Sequence, residues 1–148
     1  MKTLLPNFKR TFLIAGYTFT LLPLSLFTKG LMKSMAEFKV PEYMLNSPHY
    51  FDAMLWVYVH MTVIGLLILC IGYAVNDVHK QKWISALLFF VTAFYVYLDF
   101  RSADWIFGNA LYKGESSIIP AIIGLLVNLL FFQLMIRLFA SNKFKKEK

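Results

Sequence analysis

Between Phe51 and Arg101 the chain runs twice through apolar stretches long enough to cross a lipid bilayer. The first is Phe51–Val75, with a helix start as early as Pro48, and the second is Trp83–Arg101. Only Val75-Asn76-Asp77-Val78-His79-Lys80-Gln81-Lys82 separates them, which reads as a polar turn. A bilayer core of about 30 Å takes about 20 apolar residues in a helix. In lipid, backbone groups must be hydrogen-bonded by the protein itself. Two such runs in succession predict a transmembrane hairpin.

Two further runs, Thr11–Thr28 and Ser117–Phe139, have the same character. The expected fold class is therefore all-α: an integral membrane four-helix bundle, one domain over residues 1–148, with a short interfacial helix in the first outer loop. A closed β-barrel would show alternating segments of about ten residues, and the continuous runs exclude it. Composition agrees. Hydrophobic residues make up 59% of the chain and charged residues 16%, against about 25% charged in an average soluble domain.

A net charge of +7 raises the question of nucleic acid. The positions of the charges answer it. With both termini placed inside, ten of the fifteen basic residues lie on that side with two acids, a net of +8. Lys29, Lys33, Lys39, Arg101 and Lys113 lie outside with six acids, a net of −1. That bias follows the positive-inside rule. It predicts cytoplasmic N- and C-termini in the cytoplasmic (inner) membrane of a bacterium. The basic tail, Lys143 to Lys148, is expected to meet anionic headgroups. The expected partners are the lipid bilayer and partner membrane subunits or further copies of the chain, with no nucleic acid.

The N-terminal run Phe12–Phe27 also has to be weighed as a signal peptide, since Ser34-Met35-Ala36 offers small residues for cleavage. It is long for a signal core, and Lys29 and Lys33 separate it from that site. It is therefore expected to stay as the first helix, kinked at Pro23. After it, Leu31, Met32, Met35 and Phe38 recur at helical spacing among charges, the pattern of a helix lying in the interface. Ser47-Pro48 reads as an N-cap with proline in the first turn. In the outer loop after Arg101, Trp105 and Tyr112 suit an interfacial aromatic belt. Counted from a turn centre at His79, Gly72 and Gly65 of the second helix match Ala86 and Ala93 of the third. Small residues let membrane helices approach closely, so these four are expected to form the hairpin's seam.

Polar groups in lipid are costly and need a reason. His60 and Asp99 fall at nearly one depth from that same centre. A histidine–carboxylate pair there could relay protons or orient a ligand. Asp52, Trp56 and His60 form one stripe of the second helix, and Tyr97, Arg101 and Asp104 a second stripe on the third. With Tyr58 they outline a polar pocket open to the outer side, in which Arg101 would be the anion-binding group. The plainer reading makes Arg101 and the tyrosines interface anchors and His60 a locally bonded histidine. Nearer mid-membrane, Asn128 and Thr92, with Thr18 or Thr20, are expected to form a hydrogen-bonded layer between helices.

Other chemistry is excluded by spacing. His49 and His60 are eleven residues apart on one helix, about 16 Å, and His79 is at the opposite end, so no bis-histidine haem can form. The lone Cys70 provides neither a disulfide nor a paired-cysteine metal site. No phosphate loop, HExxH or GxSxG pattern occurs, and no cofactor or metal is expected. Three functions follow. The first is a non-enzymatic accessory or subunit component that associates through its helices. The second is a binder, carrier or enzyme for a small amphipathic or anionic molecule at the His60, Asp99, Arg101 pocket. The third is an oligomeric ion or proton pathway lined by Asn128 and His60.

Overall fold

A computed structural model of the chain describes residues 7–28, 30, 33, 42–102 and 119–140. The described structure is all-helical: α1 (Phe8–Thr28), α2 (Glu42–Leu45), α3 (Pro48–Ala74), α4 (Val78–Ser102) and α5 (Ile119–Ala140). Three stretches are long and apolar enough to cross a membrane: Pro48–Ala74, Val78–Leu98 and Ala121–Ala140. The expected interfacial helix through Leu31, Met32, Met35 and Phe38 lies outside the described residues, as do Trp105, Tyr112 and the basic tail.

Local chemistry sets the helix ends. Asn7 precedes α1 and its side-chain oxygen accepts the Arg10 N–H at 3.0 Å, so the helix begins at Phe8, before the apolar run. It continues through Pro23, which is fully buried. Proline at the first position starts α3 after Ser47, although the Ser47 hydroxyl makes no cap bond.

The polar turn is shorter than the sequence suggests. Only Val75, Asn76 and Asp77 lie outside helices, and His79 to Lys82 belong to α4. Asp77 is the reason: its carboxylate accepts the Lys80 N–H at 2.8 Å, an N-cap that starts the helix at Val78. Gln81 reaches back and donates to the Val75 carbonyl at 2.9 Å, closing the end of α3.

The Lys80 amide bond holds the Asp77 carboxyl below its usual pKa. A depressed folded pKa gives stability that is full above the ordinary carboxylate value and lost as pH falls through the depressed one. Protection of the Lys80 amide against hydrogen exchange, relative to its intrinsic rate, should therefore fall in acid. Asp77→Asn, whose amide oxygen still accepts, should abolish that pH dependence.

Packing departs from the expected hairpin seam. The backbones of α3 and α4 hardly approach each other. Instead α1 lies along α3, α4 lies along α5, and α1 touches α5 more lightly. Gly65 and Gly72 do mediate close approach, but to α1. A Cβ on Gly72 would stand 2.7 Å from Phe12 Cβ, and one on Gly16 would stand 2.6 Å from Leu69 Cγ. A Cβ on Gly65 would collide with Thr20 Oγ1 and stand 2.6 Å from the Thr20 backbone nitrogen. The physical reason is complementarity. Gly16 of α1 sits opposite Gly65, with 3.0 Å between its would-be Cβ and the Gly65 carbonyl oxygen, so both helices are bare at one crossing. Ala86 and Ala93 carry methyl groups and are half-buried on α4.

At the end of the molecule near the 75–77 turn, Phe8, Phe12 and Ala15 of α1 meet Ile68 of α3 and Val127, Phe131 and Leu134 of α5 in one buried cluster. Phe12 and Phe131 pack edge to face with centroids 5.3 Å apart, a geometry worth about 0.5–1.5 kcal/mol beyond area burial.

Candidate functional site

The α4–α5 pair buries a line of polar groups on one face of α4. Lys82, Ser85 and Thr92 of α4 are all buried, and their spacing of three and seven residues keeps them on one side of a helix. Ser85 satisfies itself by donating to the Gln81 carbonyl at 2.7 Å. Thr92 donates to the Leu88 carbonyl at 2.7 Å. Asn128 of α5 spans the gap: its amide nitrogen donates to Thr92 Oγ1 and to the Phe89 carbonyl, both at 2.9 Å. Phe89 and Phe132 pack beside this node with centroids 5.3 Å apart.

Thr18 and Thr20 stay out of that layer. Each donates to a carbonyl of its own helix, Ile14 and Gly16 respectively, at 2.8 Å. Their hydroxyl protons are used within α1, as that of Thr92 is within α4; Thr92 belongs to the layer because the Asn128 amide reaches its oxygen, whereas Thr20 packs on Gly65.

The His60 group is more dispersed. Asp52, Trp56 and His60 are exposed along one stripe of α3. The Nδ1–H of His60 donates to the Trp56 carbonyl at 2.7 Å, so Nδ1 carries the ring proton, and the two rings lie 5.5 Å apart. Tyr58 points elsewhere. It is buried among Tyr50, Phe51, Met54, Leu55 and Met61, all of α3. Tyr97 is exposed on α4 and stacks near Phe94 at 6.4 Å. Asp99 and Arg101 are helical residues of α4 whose side chains lie outside the described part of the structure, as does all of Asp104.

Moving the turn centre from His79 to Asn76 also changes the levels. The residue of α4 at the depth of His60 becomes Thr92, and Asp99 stands seven residues beyond it, about 10 Å along the axis. Among the described residues no three His, Cys, Asp or Glu side chains gather as a metal site.

Two features at the turn end escape sequence inspection. Lys82 is buried, and its ammonium lies 5.4 Å from the Phe139 ring centroid in the last turn of α5. Lys9 of α1 likewise lies 4.7 Å from the Tyr73 centroid in the last turn of α3. Long basic side chains cover apolar surface with their stems, and helix C-termini favour cations. The available signal is positional: each lysine sits near the start of a helix whose antiparallel neighbour ends in an aromatic residue. Cys70 is exposed on α3 and makes no disulfide.

Comparison with protein-family models, curated proteins and solved structures finds no match for this chain. The three span-length apolar helices support a membrane protein on physical grounds alone.

Proposed function

We propose that the chain is a four-span membrane protein with both termini on the cytoplasmic side, acting as a non-enzymatic subunit or accessory component that associates through its helices. In this reading α1, with 21 residues, is the fourth span, and the two helix pairs form one bundle.

One observation carries the reading. Trp83, Leu87, Phe90, Phe94 and Tyr97 are all exposed, at 60%, 63%, 65%, 58% and 56%. Their spacing alternates four, three, four, three along α4, the spacing of a helix–helix seam. The chain covers little of its own spans: most residues of Pro48–Ala74, Val78–Leu98 and Ala121–Ala140 are not buried within it. A partner helix laid on α4 would fill that stripe. The positive charge at the turn end (Lys9, Arg10, Lys80, Lys82 and Arg137) supports the cytoplasmic assignment of that end.

Native mass spectrometry of the protein gently extracted from its own membrane tests this. A stoichiometric second polypeptide or a self-oligomer is expected, dissociated by Leu87→Ala/Phe90→Ala/Phe94→Ala. A monomer free of any polypeptide contradicts it.

A second reading, a binder of a small anionic or amphipathic molecule at His60, Asp99 and Arg101, draws support from the exposed Asp52–Trp56–His60 stripe. The two separate on His60→Ala. Under the subunit reading this exposed, self-bonded histidine is dispensable, and thermal stability in detergent should move by no more than about 0.5 kcal/mol with the assembly mass unchanged. Loss of a bound small molecule from the mass spectrum would favour the binder.

A further inference from the structure

At the turn end of α4 the seam offered to a partner helix begins with Trp83, and Trp83 is tied to a histidine. Its indole N–H donates to His79 Nε2 at 3.2 Å, four residues back on the same helix face. The two rings lie close to edge-to-face, with centroids 6.3 Å apart. The indole also stands edge-on to Phe139 in the last turn of α5, at 6.0 Å and 87°. Two contacts thus orient the ring while 60% of the residue stays exposed. We propose that His79 is a proton switch for the α4 seam: the neutral ring holds Trp83 in place for docking, and the protonated ring releases it and weakens assembly. The switch rests on the subunit reading and adds its regulation.

An indole nitrogen can only donate, and a neutral imidazole has one nitrogen able to accept. The contact therefore requires that Nδ1 carry the His79 proton and that Nε2 be bare. A second proton turns Nε2 into a donor facing another donor, and the bond is lost. Histidine is the side chain that makes this change near neutral pH. His79 is exposed, so protons reach it from solvent. The charged and titratable groups at this end are Asp77 in the turn, Lys80 and Lys82 on α4, Arg137 on α5, Tyr73 on α3, and Lys9 and Arg10 on α1. Of these, Asp77 interacts directly with His79 and Lys80. A released indole must be ordered again when a partner docks, which costs a factor of about two to ten in affinity.

Two readouts of one acid titration test the switch. In Trp56→Phe/Trp105→Phe, Trp83 is the only tryptophan left. Its indole N–H resonance, followed by NMR of the full chain in detergent, should shift between about pH 8 and about pH 5. The shift should vanish in His79→Gln, whose amide oxygen accepts at either pH. The complex extracted from its own membrane, followed through a dilution series by native mass spectrometry, should bind about two- to tenfold more weakly at the lower pH. His79→Gln should assemble equally tightly at both, and His79→Ala equally weakly at both. An indole shift or a pH-dependent assembly that persists in His79→Gln overturns the switch. Assembly of the unaltered chain that is equally tight at both pH values overturns the regulation and leaves the subunit reading standing, whereas a monomer at every pH overturns the two together.

Discussion

Gly65→Leu is expected to part α1 from α3. A Cβ at Gly65 already meets the backbone of α1, 2.6 Å from the Thr20 nitrogen and 2.8 Å from the Phe19 carbonyl carbon. Backbone cannot swing aside as a side-chain tip can, so the helices themselves must separate. Gly65→Ala should thus cost about 1–3 kcal/mol. This is the reverse of its effect in an isolated helix, where alanine gains about 1 kcal/mol over glycine. Gly16→Ala should be milder, because its nearest neighbours are the Leu69 side-chain atoms. Reversible unfolding in detergent orders the variants. The leucine variant should also lose cysteine cross-links engineered between α1 and α3. Equal stability of Gly65→Ala and Gly16→Ala would contradict the crossing.

Asn128→Leu is expected to loosen the α4–α5 pair by about 1–2 kcal/mol, near the upper end of what hydrogen bonds between membrane helices contribute. It removes both bonds that cross the interface at this point, to Thr92 Oγ1 and to the Phe89 carbonyl. The loss is bounded because Thr92 keeps its own bond to the Leu88 carbonyl. Thr92→Val should cost less, about 0.6 kcal/mol, since Asn128 retains Phe89. A double-mutant cycle should return a coupling of about the same size. No coupling, or a gain in stability from Asn128→Leu, would mean the node does not join the helices.

Much of the fold is legible in the sequence because lipid imposes a simple rule. Runs such as Phe51–Val75 have no other stable conformation there, and Ser47-Pro48 marks the start of α3 as it stands in the structure. The turn is harder. His79, Lys80, Gln81 and Lys82 are polar and read as loop, yet Asp77 caps them into α4. That single cap moves the turn centre by three residues and with it every depth counted from it. The level shared by His60 and Asp99 depends on this count, and so does the match of Gly65 with Ala93. The glycines themselves are legible as contact points. Their partner is not, because bareness on one helix says only that something approaches, and the complementary Gly16 and Thr20 lie on α1. Asn128 stands out from sequence because an amide in lipid must find a partner, and it finds Thr92; all three threonines donate within their own helix, so the sequence does not say which of them the amide meets.

The most direct test of the crossing by α1, on which the four-span account turns, is the side from which single cysteines react. In a Cys70→Ala background, Asn7→Cys, Asn46→Cys and Asn76→Cys place one thiol before α1, one before α3 and one in the 75–77 turn, all at exposed positions. A membrane-impermeant maleimide added to intact cells should label Asn46→Cys alone. Inside-out vesicles should give the reverse, with Asn7→Cys and Asn76→Cys labelled together. Labelling of Asn7→Cys from the same side as Asn46→Cys would mean that α1 does not cross, and would contradict the four-span account.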